Sequence, residues 1–409
     1  MLMKLCTKCV MPVTAESLSF DEEGQCSVCH QIEFKQNNIN WDQRFIDLNY
    51  LVDQYRNKYD YDCLVPFSGG KDSTYTLWYI VEKLKLKPLV IRFDHGFLRP
   101  NLQNCAERTF KRLGVDVLHF TSNWQVVRKL MFESLVRRGD FCWHCHTGIF
   151  SYPMQIAIKF NIPLIFWGEP DGEYSSFYSY DEIQEADIKR FNKVINLGIN
   201  AEDMVGMLDD TISSYRVTSR DLKPYTYPSI NEIRKAKLKS VFLGTYIPWD
   251  VKKQVKIIKK ELDWKEDQVE GVPSEYGYEK IECFMQGVRD YIKFLKRGFG
   301  RTTHLTSIDI RNDRLTREDA LALVDQYDGK RPASLDIFLD ILDITEDDFM
   351  AAISKHVVAP HQMLTLDELR RSDIQPNDFP EWKQKVKSWT SSQKLTTQNK
   401  KNKEEVKVD

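Results

Sequence analysis

From Asp62 onward, apolar residues fall into short unbroken runs. The longer segments between those runs repeat apolar positions every three or four residues. "DCLVPF" (62–67), "PLVIRFD" (88–94), "DVLHFT" (116–121) and "IPLIFWGE" (162–169) read as strands. Residues 71–84, 101–113, 124–138 and 148–160 read as helices. Strands that are apolar on both faces and alternate with helices predict a parallel sheet covered on both sides. Such sheets take ligands at the C-terminal ends of their strands. Upstream, Trp41, Phe45, Leu48, Leu51, Val52 and Tyr55 have helical spacing and predict a connector helix within 36–60. Beyond about residue 180 the strand pattern fades. "SINEIRKAKLKSVF", "YEKIECFMQGVRDYIKFLKRG" and "TREDALALVDQYDG" carry helical period. The expected organisation is a cysteine-bearing module (1–35), the connector (36–60), an α/β core (61–180) and a mainly helical region (181–385). The polar, charged tail (386–409) has little to bury and is expected to be disordered.

Composition narrows the class. The 409 residues carry 58 Lys+Arg against 60 Asp+Glu, which argues against a chain whose main work is gripping nucleic acid. No run approaches the roughly 20 apolar residues of a membrane span. The start, "MLMKLCTKCV", has no extended apolar segment, so no signal peptide is read and a cytoplasmic, reducing location is expected. The nine cysteines then point to metal before disulfides. Cys6-x2-Cys9 and Cys26-x2-Cys29 have the spacing of a closed, structural four-thiolate zinc site. Such a site supplies folding free energy to a segment with no core of its own. His30 is a competing ligand, but Cys29 completes the set.

The strand-to-helix junction "SGGKDS" is the chemical centre of the sequence. It fails the Walker A spacing, because Asp72 follows Gly70-Lys71 and position 65 is valine. It still favours an anion. Gly69 and Gly70 let backbone approach a ligand, the helix start offers free N–H groups, Ser68 and Ser73 add hydroxyls, and Lys71 adds charge. Asp72 would repel phosphate and better suits a magnesium ion. In this context the hexapeptide resembles the PP-loop of ATP pyrophosphatases, a HUP-like α/β family. The resemblance implies that the loop, from Ser68 to Ser73, holds the β,γ-pyrophosphate of ATP with Mg²⁺. A substrate oxygen then attacks the α-phosphate and AMP is later displaced. It further implies that adenine is received at the end of the second strand, at Arg92, Phe93 and Asp94. Phe93 reads equally as core.

"GDFCWHCHTGIFSYP" leaves two readings open. Some PP-loop sulfur-transfer enzymes use a CxxC plus a third cysteine for metal or an iron–sulfur cluster, which would make Cys142 and Cys145 ligands. Otherwise they belong to a packed turn whose thiols touch substrate or each other. Cys63 falls in a core strand, and Cys105 and Cys283 fall in expected helices, so none offers a clear third ligand.

A longer resemblance spans roughly residues 4–330. "KLCTKCVMP", "FDEEGQCSVC", "INWDQR", "YDCLVPFSGGKDSTY", "GDFCWHCHTGIFSYPMQIAIKFNIPLIFWGE", "LGTYIPWD" and "FGRTTHLTSIDIRNDRLTREDAL" occur in the order of the N-acetyl sugar amidotransferase family. That family acts in lipopolysaccharide O-antigen and flagellin-sugar biosynthesis. The resemblance implies conversion of an acetamido group on a nucleotide-activated sugar to an acetamidino group, with release of AMP and pyrophosphate. Ammonia would come from a glutaminase working with a cyclase-like barrel partner. No membrane partner is implied, and nucleic acid is not favoured. Lys71, Asp72 and Glu169 are the implied catalytic groups, and Gly168 borders the nucleotide. After the fourth strand the family usually reads Gly-Glu-Asn, whereas here Pro170 follows Gly168-Glu169. Glu173 is either an acid–base or magnesium group or a helix cap. Arg301 and Arg311 suit a sugar diphosphate or carboxylate, or ordinary ion pairs. Tyr246 and Trp249 suit stacking on a sugar or base, or core. The competing function is tRNA sulfur transfer, which shares the loop, the zinc knuckles and the CxxC.

Overall fold

The computed structural model describes residues 3–175, 177–185, 187–208 and 216–389. Two helices lead into the core: α1 (Ser27–Asn38) and α2 (Trp41–Asp53), the latter capped by the Asn40 side chain on Gln43 N. The sheet and its crossovers then follow. They are β1 (Cys63–Pro66), α3 (Lys71–Trp78, extended by a π-turn over Tyr79–Lys83), β2 (Pro88–Asp94), α4 (Pro100–Leu113), β3 (Asp116–Thr121), α5 (Trp124–Arg138), α6 (Trp143–Lys159) and β4 (Leu164–Trp167). Short helices α7 (Ile188–Arg190), α8 (Ala201–Met207) and α9 (Ile230–Lys235) precede β5 (Lys239–Phe242). Helices α10 (Val251–Leu262), α11 (Gln286–Arg297), α12 (Arg301–Arg311), α13 (Arg317–Tyr327), α14 (Ser334–Leu342) and α15 (Glu346–Ser354) complete the named elements, and residues 379–389 form one more helical stretch.

All five strands are parallel, in the order β3-β2-β1-β4-β5. Strand order reverses between β1 and β4, and the crevice at that reversal is where such sheets bind ligands. The doubly apolar pattern has its expected cause. Val65, Val90, Leu164 and Phe166 face one core, while Leu64, Leu89, Ile91 and Ile165 face the other. The first core is closed by α3 and by Val255, Ile258 and Leu262 of α10, and the second by Met154, Ile156 and Ala157 of α6. A separate apolar cluster joins α5 to the C-terminal helices α11, α14 and α15.

Three expectations need correction. "SINEIRKAKLKSVF" is not one helix: α9 ends at Lys235 and the chain then enters β5, whose Ser240, Val241 and Phe242 are buried beside β4. The last crossover helix starts at Trp143, not 148, which places Cys145 and His146 inside its first turn. Order also runs past residue 386. Val386 is buried, and the Trp389 ring packs 4.5 Å from that of Trp124. The rest of the expected disordered tail, 390–409, lies outside the described residues.

Candidate functional site

The cysteine module comes first along the chain. The Sγ atoms of Cys6, Cys9, Cys26 and Cys29 are buried and lie within 4.8 Å of one another. The measured edges are 3.9 Å for Cys6–Cys29, 3.8 Å for Cys9–Cys26 and 3.5 Å for Cys26–Cys29. A tetrahedral zinc with bonds of about 2.3 Å requires sulfur–sulfur edges of about 3.8 Å, so the cage fits that ion. The module is seated on the C-terminal helices. Arg311 on α12 donates from Nε to Cys29 Sγ at 3.4 Å and from Nη2 to Cys9 Sγ at 3.4 Å, with Cys26 Sγ at 3.8 Å. Burial opposes the Arg311 charge, and the surrounding thiolates of Cys9, Cys29 and Cys26 more than restore it. Arg317 adds N–H bonds to the carbonyls of Cys9 and Cys6. Arg311 is therefore committed to the sulfur cage, which corrects its reading as a sugar-anion ligand.

The loop after β1 sits at the strand-order reversal. Gly69 has φ +92°, a conformation that glycine adopts without strain. Ser73 Oγ accepts from the N–H groups of Ser68 and Gly69, and Ser68 Oγ accepts from Gly70 N. Trp264 Nε1 donates to Gly69 O at 3.1 Å and fixes the turn from outside. The first-turn N–H groups of α3, beginning at Lys71, have no intrahelical partner and point out of the helix end. Lys71 is only 3 % exposed. Its Nζ lies 2.7 Å from Asp72 Oδ2 and 2.9 Å from Glu279 Oε2. Burial opposes its charge, but Asp72, Glu279 and Glu169 together hold its pKa well above the usual lysine value. Asp72 Oδ1 is buried with no hydrogen-bond partner, an acceptor fitted to a cation such as Mg²⁺. Above the turn, a Cβ on Gly70 would come within 2.6 Å of Glu282 Oε2, so a larger residue there would push that carboxylate off the loop.

Glu169 follows β4 across the crevice. Burial and the neighbouring Asp72 charge raise its pKa to about 8, with Lys71 and Lys280 acting against the rise. The Gly168-Glu169-Pro170 turn is accommodated by β5's end. Gly244 N donates to Gly168 O at 3.2 Å, and a Cβ on Gly244 would lie 2.4 Å from Pro170 Cδ. Proline at 170 thus depends on glycine at 244.

The far wall comes from residues 279–304. Glu279 bridges Lys71 to Arg301, whose Nη1 is 3.5 Å away. Burial would raise the Glu279 pKa, yet Lys71, Lys280 and Arg301 hold it well below the usual carboxylate range. Arg301 is also paired with Asp290 through Nη2 at 2.9 Å and Nε at 3.2 Å. Lys280, Glu282, Cys283, Arg289, Lys293 and His304 keep partial solvent access. Burial nevertheless shifts the pKa of Cys283, Lys293 and His304 strongly, as expected for groups lining a narrow cleft.

The remaining expected site residues separate. Asp94 ends β2 and accepts from Gly96 N. Arg92 is buried with Nε and Nη2 unpartnered. The Phe93 ring is core, packed on Phe120 and on the bare face of Gly148. Tyr246 and Trp249 are each 4 % exposed and belong to the main core, so neither offers a free ring face for stacking. Glu173 is taken by the Lys35 ammonium and the Tyr180 hydroxyl, tying α1 to the loop after β4. Cys142 caps α6 and its N–H donates to Asp140 at 2.7 Å. Cys283 was expected inside a helix. It lies instead just before α11, on an isolated bridge to Leu98, beside Cys142 and Cys145. Burial pushes the Cys283 thiol up to about 12, and the thiols of Cys142 and Cys145 are also raised by burial. Among the described residues, the N-terminal quartet is the group whose ligand atoms gather closely enough to share an ion.

Residues 270–396 match the family model for the C-terminal domain of WbpG-like LPS biosynthesis proteins. This agrees with the resemblance read from the motifs, and it covers much of the cleft's far wall. An uncharacterised protein of Methanocaldococcus jannaschii is 28 % identical over 109 residues, 26 % of this chain. The chain spans 38 % of that relative's length. Among solved structures, the U34-tRNA thiolase NcsA from Methanococcus maripaludis with its [4Fe-4S] cluster aligns at 12 % identity and a TM-score of 0.31. That alignment covers 80 % of this chain and 89 % of the thiolase.

Proposed function

We propose that this chain, with its WbpG-like C-terminal domain, is an ATP-dependent amidotransferase of lipopolysaccharide-sugar biosynthesis. It replaces the acetamido oxygen of a nucleotide-activated N-acetyl sugar with ammonia, giving an acetamidino group, AMP and pyrophosphate. The observation that carries the reading is the joining of two parts in one cleft. The Ser68–Ser73 loop supplies one wall, and from the other Glu279, inside the matched sugar-biosynthesis domain and paired there with Arg301, reaches Lys71.

The chemistry follows from the groups present. An amide carbonyl is a poor electrophile and oxide a poor leaving group. Transfer of AMP to the amide oxygen corrects both defects. The α3 N-terminus and Lys71 stabilise negative charge on the departing pyrophosphate. Asp72, with its free Oδ1, would hold Mg²⁺, which neutralises phosphate charge when bound. Glu169, with a pKa near neutrality, accepts a proton from the attacking ammonia as the C–N bond forms. Ammonia would arrive from a partner glutaminase with its cyclase-like barrel protein.

Incubation with ATP, Mg²⁺, ammonium and diacetamido nucleotide-sugars tests this reading. Mass spectrometry should find oxygen replaced by NH, with AMP and pyrophosphate as co-products. ADP as the co-product would refute it. A sulfur-transfer reading has one observation in its favour, Cys283 beside Cys142 and Cys145. Metal analysis separates the two: zinc alone suits amidination, and iron with sulfide suits thiolation.

A further inference from the structure

One wall of the cleft carries two cations that make no direct ion pair among the described residues. Helix α11 places Arg289 and Lys293 four residues apart, on one face. The Arg289 charge is opposed by burial and by Arg301 and is supported by the fields of Cys142 and Asp140, which hold its pKa above the usual value. Neither the Arg289 nor the Lys293 side chain makes an ion pair or hydrogen bond within the described residues, and Lys293 Nζ sits 4.6 Å over the Phe299 ring. Of the nearby carboxylates, Asp290 and Asp328 are already committed, and Asp140 acts on Arg289 through its field without a direct ion pair. Asp290 holds Arg301 and accepts from Gln286 at 2.8 Å. Asp328 caps α12, taking Gly300 N at 2.7 Å, Thr302 N at 2.9 Å and Thr303 Oγ1 at 2.6 Å. Asp140 takes Cys142 N. His304, the next cleft-lining group on α12, is held neutral by burial and by the charges of Lys293 and Arg301. Arg289, Lys293 and Arg301 therefore repel one another. Burial and Arg301 press Lys293 down to about 7, where a second negative group would reverse the effect.

We infer that Arg289 and Lys293 form an anion subsite for the second substrate, taking either the phosphate oxygens of a nucleoside diphosphate or a sugar carboxylate. Identifying that anion as part of a nucleotide-sugar rests on the amidotransferase reading, whereas the subsite itself rests on geometry and charge. The subsite is distinct from the nucleotide loop, because the Glu279–Arg301–Asp290 chain stands between Lys71 and α11. An arginine fork and a lysine point charge one helical turn apart match the oxygens of a diphosphate.

The test is calorimetry on the full, metal-loaded chain with three probes: uridine diphosphate, glucuronate and a non-hydrolysable ATP analogue with Mg²⁺. Arg289→Gln with Lys293→Gln should weaken uridine diphosphate or glucuronate by about tenfold or more, and the affected probe identifies the anion. The ATP analogue should bind unchanged. Unaltered affinity for both anions overturns the subsite. So does an equal loss for the ATP analogue, which would assign these cations to the triphosphate. If the double variant does not fold, wild-type affinity for uridine diphosphate must still fall as sodium chloride is raised, and salt-independent binding overturns the inference. A positive subsite with no amidino product would sink the proposed reaction and leave the subsite standing.

Discussion

Replacing Arg311 with methionine should loosen the metal module without touching any sulfur. Methionine keeps most of the packed volume but removes the guanidinium, which is 4 % exposed and set among the thiolates. Two N–H···S contacts at 3.4 Å are lost, and the third, at 3.8 Å, is at the edge of significance. A hydrogen bond to a charged group contributes about 1.5–3 kcal/mol, so two amount to about 3–6 kcal/mol. The desolvation cost of the buried guanidinium offsets part of this. A net loss of about 3 kcal/mol remains, which is about two orders of magnitude in metal affinity. That agrees with the about 10–100-fold effects of removing groups that orient metal ligands. The assay is competition between the purified chain and a colorimetric chelator, with zinc per chain measured by mass spectrometry and thermal unfolding followed alongside. Arg311→Lys, which keeps charge but not the fork, should fall between wild type and Arg311→Met. Equal zinc affinity in all three proteins would refute the claim that the guanidinium stabilises the sulfur cage.

Lys71→Met should abolish ATP–pyrophosphate exchange and also lower the melting temperature, because Asp72 and Glu279 lose their shared cation; a variant that still exchanges pyrophosphate at the wild-type rate would show the loop does not hold the leaving group. The Glu169 pKa is raised from the ordinary 4.5 to about 8 in the folded chain, so the folded state binds the extra proton and wild-type stability should fall as pH rises from about 4.5 to 8. Glu169→Gln should flatten that slope in thermal melts across the same range, and parallel curves for the two proteins would contradict it. Gly244→Ala puts a methyl group 2.4 Å from the rigid Pro170 ring and should destabilise the chain by about 1–3 kcal/mol in denaturant titration. Adding Pro170→Ala should recover part of that loss, and simple additivity of the two changes would deny the coupling.

The sequence revealed what local physics determines. Four strands were legible because Leu64, Leu89, Leu118 and Ile165 sit in short apolar-rich runs; β1, β2 and β4 are covered on both faces, whereas β3 is the half-exposed edge of the sheet. The fifth was not, because Ile230 and Ile233, then Leu238, Val241 and Phe242, recur at three- and four-residue spacing as in a helix, and only docking beside β4 turns "KSVF" into a strand. The loop's place at a strand-to-helix junction was legible from its six residues. Its partners were not, since Glu279, Glu282 and Arg301 approach it from more than two hundred positions away. Arg289 and Lys293 read as the solvated side of an amphipathic helix, and no local signal marks that side as cleft-facing. Tyr246 and Trp249 stayed open between stacking and core because an aromatic side chain is equally suited to both, and burial decides for core. Cys283 lacked any nearby cysteine to give it away.

The four-cysteine module and the Ser68–Ser73 loop are mechanically linked through the fold. Helix α12 begins with Arg301, bound into the Glu279–Lys71 network, and ends with Arg311, bound into the sulfur cage. Ten residues of helix separate them by about 15 Å, a span that behaves as a rigid rod. Its start is fixed by Asp328 on the Gly300, Thr302 and Thr303 N–H groups. A second tie runs from Lys35 of α1 to Glu173, four residues beyond Glu169. The module therefore holds both sides of the cleft, the Arg301 wall through α12 and the Glu169 turn through α1. This gives a physical reason for a four-cysteine cage to stand so far from the Lys71 loop. The charged network around Lys71 tolerates little displacement, because Asp72 and Glu279 share the Lys71 ammonium and Glu279 also takes Arg301 from a third segment. A cage that fixes two of those segments at once keeps the balance in register.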